Sequence, residues 1–401
     1  MASLKDSPIV QTVRANISNY TVVIAMVLIW ALFGALTDGL FLSARNISNL
    51  FRQATLLSFL ATGMVLVIVT GNIDLSVGSI TGFTSVVAAA LQVQMLPEIL
   101  PGLLPGVADN TIGIISTVVT ILVVLVIAFA IGVYQGSVIA YLGVPAFIVT
   151  LGGMQIFRGG VLGVTQGRTI APIEESLRVI AQGYVSNLFG IAVALLVIAA
   201  IFYFALRSRA QKQEYGFDVP PLRNDLVKAT LFSAVVLGFV LLMNQYRGVQ
   251  VPVLVLAVFV VGMTYVSNNT RFGRYCYAIG GNEEASRLSG VNIKKIVQRV
   301  HILSAMMAGV TGIMLTGYVA AGTTTGGLQY ELDTVASCVI GGTSLMGGRG
   351  TIFGGVVGAL IMGSIVNGMS VMNMDIFWQY IVRGLVLIAA VYLDVSSKSR
   401  K

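Results

Sequence analysis

The chain has 401 residues, of which 56% are hydrophobic and only 10% are charged, and its mean hydropathy is +0.90. This composition excludes a water-soluble globular protein and predicts a polytopic membrane protein. The net charge of +8 does not indicate a nucleic-acid partner, because the basic residues lie in short loops between apolar segments.

Apolar segments long enough to cross a bilayer recur along the chain. The first follows Lys5 and Arg14, is too long for a signal peptide and has no small-residue cleavage pattern, so we expect it to remain as a span. The segment 334–346 is short and rich in glycine; a re-entrant half-helix is the alternative there, but a full crossing keeps the charged C-terminal tail on the same side as the N-terminus. We predict an all-α polytopic integral membrane protein, a single transmembrane domain over 1–401 with 10–12 helices. The twelve candidate spans are 22–40, 53–70, 77–96, 112–132, 147–164, 188–206, 229–243, 251–266, 302–319, 334–346, 352–371 and 376–393.

The distribution of Lys and Arg predicts the orientation. If the N-terminus is inside, 17 of the 24 basic residues lie on that side and 5 on the other, while Arg158 and Arg383 lie within spans. Because cytoplasmic loops carry the excess of positive charge, both termini are predicted to be cytoplasmic. Two cytoplasmic segments follow, a polar loop over 207–228 and a basic loop over 269–299.

The basic loop contains the signature of a short capped helix. Asn282 is a good N-cap, Glu283 and Glu284 place negative charge in the first turn, and Gly290 suits a left-handed stop. A helix of about two turns over 283–289 is marginal alone, so we expect it to dock against a partner. The alternative is a solvated loop with a chance cap.

A weak internal repeat relates two turns of the chain. At an offset of 270, the segments 69–83 and 339–353 share six of fifteen residues. Both lie where one predicted span leads into the next. Interrupted segments at corresponding positions of two halves are typical of a transport path, whereas chance likeness between glycine-rich turns is the alternative.

Signals for catalysis or metal binding are lacking. The chain contains no Walker A sequence and no dinucleotide-binding glycine fingerprint, so it has no nucleotide site of its own of these kinds. Cys276 and Cys338 are expected to be free thiols. His301, the only histidine, is expected at a span edge as an interface residue. We therefore predict no catalytic residues and no metal site, and a membrane enzyme is the least supported reading.

Three acidic residues and Arg383 lie in or beside the predicted spans, in addition to Arg158. An ionised carboxylate at membrane depth costs about 2.5 to 3.5 kcal/mol, so it is rarely without a role. Asp74, Glu331 and Asp333 lie near span ends, and we expect Asp74 to cap the following helix rather than contact a solute. Arg383 lies eight residues into the last span, where it needs a partner that the sequence does not identify.

Several segments together resemble one family. In chain order they read GNIDLSVGS, VPAFIVTLGGMQIFRG, YAIGGNEEASRLSGVN, CVIGGTSLMGGRGT, NGMS and FWQYIVRG. They resemble the permease subunits of bacterial ABC sugar importers of the ribose, galactose and xylose type. The extra pair of spans and the polar loop over 188–243 are most similar to the longer, xylose-type members.

The resemblance implies a multi-pass protein of the bacterial inner membrane that carries a monosaccharide. It implies three protein partners: an ATPase with two nucleotide-binding modules, a periplasmic sugar-binding protein and a second copy of the chain. Membrane lipid surrounds the chain itself. No cofactor is expected on this chain, since ATP and Mg²⁺ are used by the ATPase. The rival hypothesis is an ion-coupled carrier or a facilitator acting alone, which needs a titratable centre in mid-membrane.

By the same resemblance, the short helix of the basic loop is the coupling helix that docks into the ATPase. This sequence reads Glu-Glu-Ala where the family pattern is Glu-Ala-Ala. Two faces are candidates for the docked one, Glu283 with Arg287 or Ala285 with Leu288, and we favour the apolar pair. The predicted coupling residues are Asn282, Glu283, Glu284, Ala285, Arg287, Leu288 and Gly290.

A path for an uncharged sugar favours small and hydroxyl-bearing residues without a charge that traps the solute. Candidates lie in the two glycine-rich turns and in the threonine run before span ten. The predicted substrate-path residues are Asn72, Asp74, Ser76, Thr323, Thr324, Thr325 and Ser337.

Overall fold

The computed structural model describes residues 17–217, 219 and 221–398. Within that part of the chain the regular elements are helices, and β-structure is limited to two isolated bridges. The helices are α1 (Ile17–Leu36), α2 (Ala44–Val69), α3 (Val77–Leu103, with a π-helical turn at Leu91–Met95), α4 (Asp109–Leu142), α5 (Ala146–Thr165), α6 (Glu175–Gln182), α7 (Asn187–Glu214), α8 (Leu222–Asn244), α9 (Val251–Asn269), α10 (Arg271–Gly281), α11 (Glu283–Leu288), α12 (Ile293–Val319), α13 (Tyr330–Ile340), α14 (Ile352–Val371) and α15 (Ile376–Lys398).

Ten of the described helices are long and apolar enough to cross a membrane, namely α2 to α5, α7 to α9, α12, α14 and α15. Each contains one of the predicted spans, so ten of the twelve are confirmed as apolar helices of spanning length. For the first predicted span, α1 contributes a shorter apolar stretch, Val22–Leu36. The orientation of the termini and the internal repeat stay predictions.

The predicted continuous span over 334–346 is wrong. Its helix, α13, has only 11 residues, which is about 16 Å of helix against a hydrocarbon core of about 30 Å. The segment before α13 is irregular, and its Gly322 forms an isolated β-bridge with Ile170 at one end of the bundle. After α13, the Gly348 N–H donates to the Val69 carbonyl oxygen at 2.8 Å at the other end. The chain thus passes between the two ends as irregular backbone followed by a half-length helix.

Helix α12 is the centre of the bundle and packs against α2, α3 and α4. Hydroxyl groups and small residues fill these contacts; for example, the Thr316 hydroxyl donates to the Ser85 carbonyl oxygen at 2.9 Å. Such contacts suit helices in lipid, where burial of apolar surface does not drive association. The α7–α8 hairpin lies at the periphery and exposes large apolar side chains such as Leu196 and Val235.

Two connections between predicted spans are shorter than the span bounds imply. Helix α4 continues unbroken to Leu142 through the stretch 134–142, which follows the end of the fourth predicted span. The polar loop over 207–228 is largely taken up by the end of α7 and the start of α8. An ion pair between Arg209 and Asp225, with 2.9 Å between nitrogen and oxygen, joins these two helix extensions.

Candidate functional site

Helix α11 forms as its sequence predicts. The Asn282 side-chain oxygen accepts a hydrogen bond from the Ala285 N–H at 2.9 Å, and two glutamates occupy the first turn. Gly290 has φ +81°, the left-handed conformation that ends a helix without the steric cost of a Cβ. The helix spans Glu283–Leu288, so Ser289 lies just past its end.

Most of α11 faces solvent. Ser286 is its buried residue, and its hydroxyl donates to the Asn282 carbonyl oxygen at 2.9 Å. Glu284 and Arg287 form an exposed ion pair along one side. Leu288 is 80% exposed, and Ala285 is exposed beside it. Ala285 and Leu288 therefore form the exposed apolar side of this short helix.

Anchored elements hold both ends of α11. On one side, the Tyr277 hydroxyl of α10 donates to the Gly350 carbonyl oxygen at 2.9 Å, next to the turn that binds Val69. On the other side, Asn292 caps α12 by accepting from the Lys295 N–H at 3.0 Å. Because of these contacts, a displacement of α11 acts on α10 and on the central helix α12.

Burial raises the pKa of the Cys276 thiol in α10 to about 12, so this thiol stays protonated at neutral pH.

A cleft of about 780 Å³ opens beside α11. Its walls come from the turn after α2, the turn between α4 and α5, and the segment around α11. Asn72 lies in this cleft together with Arg287 and Lys294, so it is near the predicted coupling residues rather than at membrane depth.

Asp74 is a fully buried hydrogen-bond acceptor at the start of α3. One carboxylate oxygen accepts from the Ser76 N–H at 2.9 Å and from the Ser76 hydroxyl at 2.6 Å. The other accepts from the Ser304 hydroxyl of α12 at 2.9 Å. Asp74 thus orders the turn before α3 and ties it to the central helix. It does not cap α3 as predicted, because Ser76 occupies the N-cap position and no side chain caps that helix. Both Asp74 and Ser76 are closed off from solvent.

His301 is not an interface residue, which corrects the prediction from sequence. Its side chain is buried, and Nδ1 lies 2.9 Å from the Val297 carbonyl oxygen, so Nδ1 carries the donated proton. The prediction failed because α12 begins at Ile293, nine residues before the predicted start of the span at 302, and this places His301 in the packed interior.

The remaining path candidates lie in or after the irregular segment before α13. Thr325 is exposed, and Thr323 and Thr324 are half-buried. Ser337 is fully buried, and its hydroxyl donates to the Asp333 carbonyl oxygen at 2.6 Å. The structure therefore places the seven candidates in three separate regions: Asn72 at the cleft, Asp74 and Ser76 in the core, and the others around α13.

Four charged side chains lie around α13, level with the middle of the neighbouring helix α5. Arg383 pairs with Asp333 at 3.4 Å, which identifies the partner that the sequence left open. Glu331 is buried, with its Oε2 lacking a hydrogen-bond partner, and lies close enough to Arg158 of α5 for their charges to interact. More charged side chains thus lie at mid-membrane depth than we predicted from the sequence. The charges themselves were visible in the sequence, but their pairing was not.

Gln155 was not singled out from the sequence. It is exposed in the middle of α5, near Arg158. The available signal was a polar amide at the centre of an otherwise apolar predicted span. Among the described residues, no group of three or more His, Cys, Asp or Glu is arranged to hold a metal ion.

Comparison with known proteins adds independent information. The family described as branched-chain amino acid transport system / permease component matches residues 46–391. The xylose transport system permease protein XylH of Haemophilus influenzae is 40% identical over 388 residues, which are 96% of this chain and 98% of the relative. XylH of Escherichia coli K12 is also 40% identical over 388 residues, with 96% and 93% covered.

The ribose import permease protein RbsC of Haemophilus influenzae is 30% identical over 371 residues, which are 92% of this chain and 91% of the relative. No solved structure matches the chain.

Proposed function

Because this chain belongs to the branched-chain amino acid transport system / permease component family, we propose that it is the permease of an ATP-driven importer for xylose or a related monosaccharide. The family membership confirms the predicted resemblance and describes a permease component rather than an enzyme. The observation that carries the choice of sugar is the 40% identity to xylose permeases over nearly the whole of both chains.

In this proposal the chain works in the bacterial inner membrane as one of two identical copies, with both termini in the cytoplasm. A periplasmic binding protein delivers the sugar, and an ATPase with two nucleotide-binding modules uses ATP and Mg²⁺ to drive alternating access. The absence of a Walker A sequence in this chain is consistent with an energy source on another subunit.

Helix α11 is proposed as the coupling helix. Its exposed side, with Ala285 and Leu288, docks into the ATPase, while the anchors on α10 and α12 carry the displacement into the membrane. Asn282 and Gly290 keep the helix short and rigid, and the Glu284–Arg287 pair borders the docked side. ATP binding moves this unit as a lever and opens the path outward.

The test replaces Glu284 and Gly290 together with alanine in the transporter reconstituted with its ATPase and binding protein. The variant is expected to insert into the membrane but to lose most sugar-stimulated ATP hydrolysis. The matched control is Glu214→Ala with Gly216→Ala, an exposed glutamate and a left-handed glycine at the α7–α8 connection, which should hydrolyse ATP normally. Normal stimulated hydrolysis in the Glu284 and Gly290 variant would refute the coupling role.

An ion-coupled carrier remains the second candidate, because the structure places Glu331 with an unpartnered carboxylate oxygen at membrane depth. Proteoliposomes that contain only this chain separate the two hypotheses. We expect no sugar accumulation under an imposed proton or sodium gradient, and uptake once ATPase, ATP and binding protein are added. Accumulation by the chain alone would favour the carrier.

A further inference from the structure

Helix α5 exposes a polar residue where a lipid-facing helix would carry an apolar one. Its buried residues lie on one side, and Gln155 lies opposite them, at the centre of the exposed face and near the middle of the helix. The buried side consists of Ala146, Thr150, Gly153, Phe157, Val161 and Thr165. No other part of the described chain covers the side chain of Gln155.

The surface around Gln155 is open. A Cβ added at Gly152, Gly159 or Gly163 would meet no atom within 4 Å, in contrast to Gly153 on the buried side, where it would meet the Gln135 side chain. Nothing in the described chain therefore packs on these three glycines, which leaves space at this face for a solute.

The irregular segment before α13 forms the second part of this surface. Arg158, one turn beyond Gln155, donates from its guanidinium group to the Gly326 carbonyl oxygen at 3.3 Å. This contact fixes the turn that contains Thr324 and Thr325 beside the middle of α5. Thr325 is exposed and Thr324 is half-buried, so the turn that contacts Arg158 carries hydroxyl groups that a solute can reach.

Leu151 and Leu162 on the same face are apolar, but the Gln155 amide and the irregular backbone of the turn do not suit contact with lipid. Irregular backbone at membrane depth is tolerated where it is buried in protein or lines a water-filled cavity, and polar side chains there mark solute pathways. Interrupted helices are the usual site of solute binding in transporters.

We propose that Gln155, Arg158 and the turn with Thr324 and Thr325 form this chain's wall of the translocation path, and that they hydrogen-bond a neutral, polyhydroxylated solute. The Gln155 amide both donates and accepts, which matches the hydroxyl groups of a monosaccharide. This inference rests on the proposed function, since it identifies where the transported sugar passes.

Water access is the first test. A Gln155→Cys chain in native membranes is treated with a charged, water-soluble thiol reagent, which reacts only where water reaches the thiolate. The control is Leu196→Cys on the peripheral α7, where the leucine is 71% exposed. The parent chain provides the background, because both natural cysteines are buried. We expect labelling of Gln155→Cys to be at least about tenfold faster than that of the control, and slower with xylose present.

Transport is the second test, with the full transporter. Gln155→Leu, which keeps the size but removes the hydrogen bonds, is expected to lower uptake about tenfold, and Gln155→Asn to retain most of it. Leu196→Ala is the control and should transport normally. The Leu and Asn variants separate loss of hydrogen bonding from a general packing defect.

The two tests separate this inference from the proposed function. Labelling requires no ATPase. If Gln155→Cys is labelled but the parent chain with its partners never transports sugar, water access at Gln155 is supported and the proposed function is refuted. If the parent transports sugar but Gln155→Cys labels no faster than Leu196→Cys, the inference is overturned.

Discussion

Helices α11 and α13 are both short, and both place two acidic residues in the first turn, yet their environments are opposite. Glu283 and Glu284 of α11 are exposed to solvent, whereas Glu331 and Asp333 of α13 are 8% and 4% exposed. In both helices the acids complement the positive end of the helix dipole. The shared local pattern therefore indicates a helix start but does not indicate where the helix lies.

The two helices are held by different interactions. Helix α11 has a side-chain cap at Asn282 and contributes one buried residue to the fold. Helix α13 has no side-chain cap, and it is held by packing against α14 and by the ion pair with Arg383 of α15. We therefore expect substitutions around α13 to affect stability, and those in α11 to affect docking.

The largest effect is expected for Gly358→Ala in α14. The added Cβ would lie 1.8 Å from the Ser337 carbonyl oxygen of α13, so the two helices would have to separate. We expect a loss of about 3 kcal/mol, measured as a lower apparent Tm and a lower folded yield in detergent. Gly384→Ala in α15 is the control, since its Cβ would meet no atom within 4 Å. Equal stability of the two variants would contradict the close packing of α13 on α14.

The ion pair between Asp333 and Arg383 gives the next effect. Arg383→Met leaves a buried carboxylate without its partner and is expected to cost about 3 kcal/mol. The double variant Asp333→Leu with Arg383→Met removes both charges and should recover at least half of that loss in the same Tm measurement. Additive losses in the double variant would show that the two side chains are not coupled.

The cap of α11 gives a smaller, local effect. Asn282→Ala removes the hydrogen bond to the Ala285 N–H and should weaken the helix by about 1 kcal/mol. Hydrogen exchange of residues 283–289 is expected to become faster while the apparent Tm of the whole protein is unchanged. Ser186→Ala, which removes the cap of α7, is the control and should not affect exchange in α11. Unchanged exchange in Asn282→Ala would mean that packing, not the cap, holds α11.

The smallest effect on stability is expected for Leu288→Ala. The side chain is 80% exposed, so the change in stability should be within about 0.5 kcal/mol. The Leu288→Ala chain should nevertheless bind the isolated ATPase more weakly, as measured by co-purification or by a surface-based binding assay. Leu188→Ala, whose leucine is 79% exposed on α7, should change neither quantity. Unweakened ATPase binding would indicate that the side of α11 with Glu283 and Arg287 docks instead.

Much of the fold was predictable because each feature depends on neighbouring residues. Apolar length identified ten spanning helices, and the spacing of Asn282, the two glutamates and Gly290 identified both ends of α11. The prediction of a full span over 334–346 failed because the apolar residues there are buried inside the protein rather than facing lipid. In addition, two glycines follow Ile340, where α13 ends.

The sequence by itself determined the class of protein, ten spanning helices and the capped helix α11, since hydropathy and capping act over a few residues. Only the tertiary structure decided which polar groups meet. Asp74 bonds to Ser304 across 230 positions, and Arg158 contacts the turn at Gly326 across 168. These contacts arise because a buried polar group at membrane depth must find its partner within the protein, and packing of the whole bundle determines which partner is in reach.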